Sequence, residues 1–600
     1  MSKLKLIDGE LQELSYMLFN AVVTTGEATG YITNNPFILD KKFNIELLGT
    51  LGFLENMITV PSELSDAFYQ DWQTVAKSSE ASLLMNSLLH YLTADSDNQY
   101  MPERIMVVPE LLIKHVTLVK VIDFTEFVSK LRELMVSVTT LDSNLIARIA
   151  AIVPKLDLGI NIRDVKSREL ALILYAVKGI VPEDADEFMR FLVYKATDEA
   201  LLIKDRKTIT AFEENAKTLT AHLQLYTETF GYKGYKRLAG HFNRQRLLYL
   251  AIKRNSPASK TIINKIARLS KQKHIPFIKP AIETLYEKAG EMSEVEIYEI
   301  IAKAYTMKLI SIHNSYEARN DSKVGFYKIR NGKSYYKART KSLGATEFVR
   351  TQVLINILGK EIIKRVLHNA KVNNISVISS EYMEIALPVS GKQFINNIPN
   401  GSSIKTANFE KDVVVGIKWF DVGGKSTDLD LSGNSELSRI GWNSSQRNSA
   451  VMYSGDVTKA RNGAVELLKF NKDNEVELYT VSVKNFTGGG VVPFKFFVAE
   501  SDHIAKNVVD ETTIRTTLAL EVEEGFDLGV YFKGKFIFDK IPTIGNVETI
   551  QPAEYYASLH SYLGNKIMIN DILNPKVYGD GSNVLDLNNP DKSLLLKLVE

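Results

Sequence analysis

Through the first half of the chain, apolar residues return every three or four positions, with polar residues between them. Ser167–Lys178, SRELALILYAVK, is a compact apolar run stopped by Gly179 and Pro182, which predicts a helix. A second helix is expected over Asp186–Ala196, where Phe188, Phe191, Leu192 and Lys195 share the spacing. Ser293–Ile310 opens on Ser293-x-x-Glu296, a capping-box spacing, and carries Ile297, Ile300, Ile301, Ala304 and Tyr305 along one face. One helix is expected across that stretch. Helices joined by short loops predict a bundle or a solenoid-like stack, although no fixed repeat period is present.

The pattern changes near residue 320. In Phe326–Arg339, FYKIRNGKSYYKAR, Asn331-Gly332 separates two aromatic-rich runs. Asn-Gly accepts the positive φ of a tight turn, so this reads as a β-hairpin. A helix is expected at about Ala345–Asn369, and from Val372 onward short apolar runs alternate with Gly, Asn, Ser and Pro. The expected fold is therefore multidomain α + β. It comprises an α-helical region over 1–315 with a break near 150–165, and a basic hairpin-plus-helix connector over 316–371. An all-β sandwich follows over 372–545, then a mixed extension over 546–600 with a short helix near Ala553–Leu563.

Bulk properties narrow the chemistry. The 600 residues are 45% hydrophobic and 24% charged with a net charge of +2, so no global field draws the chain to nucleic acid or membrane. There is no cysteine, which excludes disulfides, cysteine nucleophiles, iron–sulfur clusters and thiolate zinc sites. The opening MSKLKLIDGELQEL lacks the apolar core of a signal peptide, and no run of about 18 apolar residues occurs. The expected location is the cytoplasm or a virion, with no membrane span.

Several motifs resemble chemistry without carrying it. Gly423-Gly424-Lys425-Ser426 looks like the end of a phosphate-binding loop, but Trp419 stands where the earlier glycine belongs and DLDL follows where a helix should. Neither GxSxG nor HExxH occurs, and the nine histidines have no metal-ligand spacing. No catalytic residue is predicted and a non-enzymatic role is expected, although an enzyme site assembled from distant loops would leave no such mark.

Two stretches stand out. Tyr232–Pro280 carries thirteen Lys or Arg and no acid, with Tyr232, Tyr235, Phe242 and Tyr249 interleaved on two helices joined at Asn255-Ser256-Pro257. Such a face can neutralise phosphates, and Lys236, Arg237, Arg244, Arg246, Lys253, Arg254, Lys265 and Arg268 are its candidate nucleic-acid contacts. The competing reading pairs this block with the acidic run Glu283–Glu299 or with another copy of the chain. In the second stretch Asp428 and Asp430, two apart, share one face of a strand. Asp456 follows a Ser-Gly turn and Glu466 lies ten residues on. Aspartate is depleted in strands, so a turn, a salt bridge to Lys425 or Arg439, or a cation should compensate. Hard oxygen ligands suit Ca²⁺.

The runs VVVGIKWFDVGGKSTDLDLS, GWNSSQRNSAVMYSGDVT and GAVELLKF resemble the TerD-like domains of bacterial tellurium-resistance and stress operons, over about 375–540. The resemblance implies a β-sandwich that binds Ca²⁺ through a DLD strand and a later Gly-Asp loop. Asp428 and Asp430 match the paired acids, Asp456 matches the Gly-Asp loop, and Glu466 matches a later acid. Val457 and Thr427 depart from the pattern, where Asn and a further acid are common. The helical part is similar to regions that large bacterial and phage proteins place ahead of such a domain. The expected function is a Ca²⁺-binding structural or assembly protein of a virion or stress operon, with protein partners or its own copies. Nucleic-acid binding through the basic block is the alternative.

Overall fold

The computed structural model describes residues 8–19, 21–24, 37–39, 68–69, 72–93, 99–102, 117–137, 143–153, 156, 159–198, 206–273, 281–321, 324–328, 334–338, 343–405, 411–422, 425–461, 463–471, 478–487, 490–501, 513–542 and 566–600. The expected helix near Ala553–Leu563 lies outside them. The chain forms two compact units, one of residues 1–25 and 122–288, the other of 26–121 and 289–600.

The first unit is helical. Its helix Arg168–Val177 starts where the Ser167 hydroxyl accepts the Leu170 amide at 3.4 Å and ends before Gly179, whose φ of +65° suits a residue without a side chain. Helix Ala185–Thr197 follows, capped by Asp184, and buries Phe188, Phe191 and Leu192. These rings pack with Leu223, Tyr226, Tyr249 and Ile266 into one core. The basic block, expected on two helices, lies on three: the end of helix Ala216–His241, which carries Lys233, Lys236 and Arg237, then Arg246–Asn255 and Lys260–Lys273, the last two joined through Ser256.

The second unit holds all the large antiparallel sheets. Helix Glu294–Ala302 carries the expected Ser293–Glu296 capping box, but it stops at Lys303, and a new helix runs over Thr306–Asp321. One predicted helix is thus two. The Arg365 guanidinium sits at the break, donating to the carbonyls of Ala304 (2.6 Å), Ala302 (3.1 Å) and Ile301 (3.2 Å), the last of which also accepts the Ala304 amide at 3.0 Å. Arg365 belongs to the long helix Ala345–Val372. The hairpin pairs Val324–Lys328 with Ser334–Ala338, while its Asn331-Gly332 turn lies outside the described residues.

The strand-rich region follows. We label its main strands β1 (Met383–Glu384), β2 (Ser403–Lys405), β3 (Asp412–Trp419), β4 (Leu429–Asn434), β5 (Arg439–Ile440), β6 (Val451–Tyr453), β7 (Ala464–Phe470), β8 (Tyr479–Asn485), β9 (Val492–Ser501), β10 (Ile514–Val522), β11 (Gly525–Phe532) and β12 (Lys535–Pro542). One antiparallel sheet has the order β5-β4-β8-β11-β12-β2-β1 and the other β6-β7-β3-β9-β10. The sheets face each other through aromatic side chains. Phe470 of β7 stacks on Tyr531 of β11 at 4.1 Å, and Phe496 of β9 meets Phe536 of β12 at 5.4 Å. At Gly416 a side chain would overlap Phe497 and Leu467, which close over the backbone.

Strand β3 is buried along its whole length, so both of its faces are covered. The cover on the outer face comes from far upstream. Trp72, on helix Trp72–Lys77, packs with Val414, Val465, Leu467 and Phe497, beside a buried Lys469–Asp412 ion pair of 3.3 Å. Helix Glu80–Leu92 lies next to it, N-capped by Ser79. Arg447 fixes this segment from the strand side, donating to Ala76 O at 2.5 Å and Ser78 O at 2.9 Å. Sequence reading placed this stretch with the helical region, whereas the fold places helices Trp72–Lys77 and Glu80–Leu92 against the sheets.

Candidate metal centre

Strand alternation puts Leu429 and Leu431 into the core, so Asp428 and Asp430 project together from the other face. Asp456 reaches the same point from the turn after β6. There Gly455 holds a φ of +97° that favours glycine. Ligand oxygens of Asp428, Asp430 and Asp456 all lie within 4.8 Å of one another. Asp456 is 0% exposed and Asp430 2%. Both oxygens of Asp430 and one of Asp428 have no hydrogen-bond partner, and Asp456 meets the Tyr91 hydroxyl. A salt bridge or side-chain turn therefore does not compensate Asp430 or Asp456, although Lys484 and Arg439 lie near enough to Asp430 to stabilise its charge.

The electrostatics follow from this crowding. Burial and then the charges of Asp456 and Asp430 push the Asp428 carboxyl up to about 8. Burial and Asp456 raise Asp430 to about 7, and burial raises Asp456 to about 6. Like charges withdrawn from water without partners resist ionisation, and a cation removes both penalties.

Glu466, the fourth predicted acid, is not among the converging oxygens. It points into the same buried region from β7, but it accepts the Leu431 amide at 2.7 Å and the Val457 amide at 3.2 Å. Its carboxylate ties β4 to the Asp456 turn and so sets the distance between two of the aspartates. Nearby, Asp421 accepts the amides of Thr427 and Ala460, each at 2.9 Å, and shapes the loop that resembles a phosphate-binding one. A strand, β4, follows that loop.

Three neighbours left no signal in the sequence. Tyr91, on helix Glu80–Leu92, stands beside all three aspartates. Burial, then their charge, raises its pKa, and its hydroxyl tempers the rise at Asp456. The Tyr91 ring lies 6.0 Å from that of Trp442. His90 is buried; its Nδ1 meets Tyr100 O at 2.8 Å and therefore donates, which leaves Nε2 to accept from the Thr458 amide (3.3 Å) and hydroxyl (3.0 Å). Burial lowers the pKa of His90, keeping the ring neutral. An apolar helix such as Glu80–Leu92 does not reveal which strands it will cover.

The basic block lies in the other unit. Arg237 pairs with Glu183, and Arg244 meets Asp186 at 3.2 Å. His241 also meets Asp186, at 3.0 Å, and this hydrogen bond raises the histidine's pKa and lowers the aspartate's. These pairs lead back to the start of helix Ala185–Thr197, a partner that sequence reading did not consider. Lys236 lies over the Tyr232 ring at 4.7 Å and Lys265 over Tyr235 at 3.9 Å. Arg246, Arg254 and Arg268 are exposed and Lys253 is partly buried.

No protein family matches the chain, and no curated protein matches it. Among the described residues no helix is long and apolar enough to cross a membrane.

Proposed function

We propose that this chain is a Ca²⁺-binding structural protein whose strand-rich region is a TerD-like domain and whose role is assembly without catalysis, in a virion or a stress-response complex. The observation that carries the reading is the convergence of buried carboxylates from Asp428, Asp430 and Asp456, in which both oxygens of Asp430 and one of Asp428 have no hydrogen-bond donor. Buried charges are normally paired or bound to metal. An all-oxygen donor set suits a hard cation, and Ca²⁺ tolerates the irregular geometry that two strand residues and a turn provide.

Calorimetric titration of the full chain with CaCl₂ tests this. Binding is expected, Asp430→Asn should weaken it, and the bound ion should stabilise the protein by about 2.7 kcal/mol at a hundredfold excess over Kd. A folded chain that binds no calcium would reject the assignment. Nucleic-acid binding through the exposed Arg246, Arg254 and Arg268 is the second reading. It would show as retention of RNA or DNA that weakens steeply with salt and is lost on reversing those charges.

A further inference from the structure

The turn that carries Asp456 has two sides. On one, the Asp456 carboxylate joins Asp428 and Asp430. The other is gripped by Phe68, His90 and Gln99. A β-carbon on Gly455 would overlap the Phe68 ring, which leaves no clearance between them. His90 holds Thr458, only two residues after Asp456, through its amide and hydroxyl, and Gln99 donates to the same hydroxyl at 2.6 Å. Gln446, whose carbonyl accepts the Tyr453 amide at 2.8 Å, donates to Ser87 at 2.5 Å. Tyr91 closes the arrangement, with its ring against Trp442 and its hydroxyl toward the aspartates.

From this we infer that helix Glu80–Leu92, with Phe68 and Gln99 beside it, is part of the cation site, so that cation binding at Asp428, Asp430 and Asp456 and seating of that helix form one linked equilibrium, with Tyr91 as a positioning residue. The inference rests on the cation reading above. It is supported independently of the clustering by Asp430, a buried carboxylate with no partner on either oxygen, set among the ligand oxygens of the other two. Six residues, Ser454 to Lys459, form both the ligand loop and the helix's seat. A cation that draws Asp456 toward Asp430 fixes Gly455 and Thr458 where Phe68 and His90 meet them. By reciprocity, a seated helix holds Asp456 in place for the cation.

Hydrogen–deuterium exchange of the full chain, in calcium and in EGTA, separates the outcomes. If the inference holds, calcium slows exchange both in 451–470 and in 80–92, a helix that contains none of the ligands. Slowing in 451–470 alone overturns the coupling and leaves the cation reading intact, whereas no slowing in either removes both. As a second measurement, His90→Ala leaves all three carboxylates in place, and its calcium affinity should fall between about fivefold and a hundredfold. An unchanged affinity in folded His90→Ala would count against the linkage. Tyr91→Phe then tests whether the hydroxyl itself contributes, since a loss there with the fold intact places it at the cation.

Discussion

Asp430 is a buried charge without a donor, and its cost can be measured. In the unfolded chain its carboxyl ionises near the ordinary value of about 3.9, whereas in the folded chain burial and Asp456 hold it at about 7. The folded state therefore binds its proton more tightly. Stability should fall as pH rises from about 4 through about 7, and the same sign applies to Asp428 and Asp456. Calorimetric melting in EGTA should show the melting temperature dropping between pH 5 and pH 8, and calcium should flatten the curve. Asp430→Asn removes the charge and keeps the shape. In EGTA at pH 8 it should stabilise the chain by roughly 1–3 kcal/mol and weaken the response to calcium. A destabilised variant under those conditions would mean that the carboxylate is already paired. The pairing of Asp428 with Asp430 was legible because strand periodicity puts alternate residues on one face. That Glu466 is a brace was not, because two backbone amides that satisfy a carboxylate have no side-chain signature.

At the scale of elements, the helices that end on local signals were readable, and those that end on distant contacts were not. Ser167, Gly179 and the Ser293–Glu296 box act within a turn of their own sequence. The end of helix Glu294–Ala302 instead depends on Arg365, sixty-one residues beyond Ala304. Glu361 holds that guanidinium in place, accepting from its Nε at 2.8 Å. Arg365→Ala should leave the carbonyls of Ala302 and Ala304 without this donor and cost about 1–3 kcal/mol in urea unfolding. Arg365→Lys should recover only part of this, because a point-like ammonium cannot fork across three acceptors. Full recovery by lysine would show that charge, not geometry, holds the helix end.

At the scale of the whole molecule, the order of helices first and antiparallel sheets later was legible from the change in apolar period near residue 320. The assignment of helices Trp72–Lys77 and Glu80–Leu92 to the sheets was not. The unbroken apolar run of β3 implies cover on both faces but does not say which residues supply it. The segment also bears on assembly. Helix Glu80–Leu92 buries Leu83, Ser87 and His90, while Leu84, Leu88 and Leu92 on its other side are 69%, 48% and 73% exposed. On the assembly role proposed above, this apolar stripe is the surface that would meet another copy. Light scattering of the full chain should show a species larger than a monomer that persists in high salt, since apolar contacts are not screened. Leu88→Glu should reduce it to a monomer. A monomer at every salt concentration would reject the assembly role.

The distance from His90 to Thr458 also sets a timetable for synthesis. The two residues are 368 positions apart. A ribosome adding about 5–20 residues per second needs about 20–70 s to travel from one to the other. Throughout that interval the helix has been made and its seat has not. Both of its sides, the one bound for the sheets and the leucine side, are then open to whatever the cell supplies. The birth of this protein thus includes a waiting period, and a chaperone that shields apolar helices would act on residues 80–92 before strand β7 emerges.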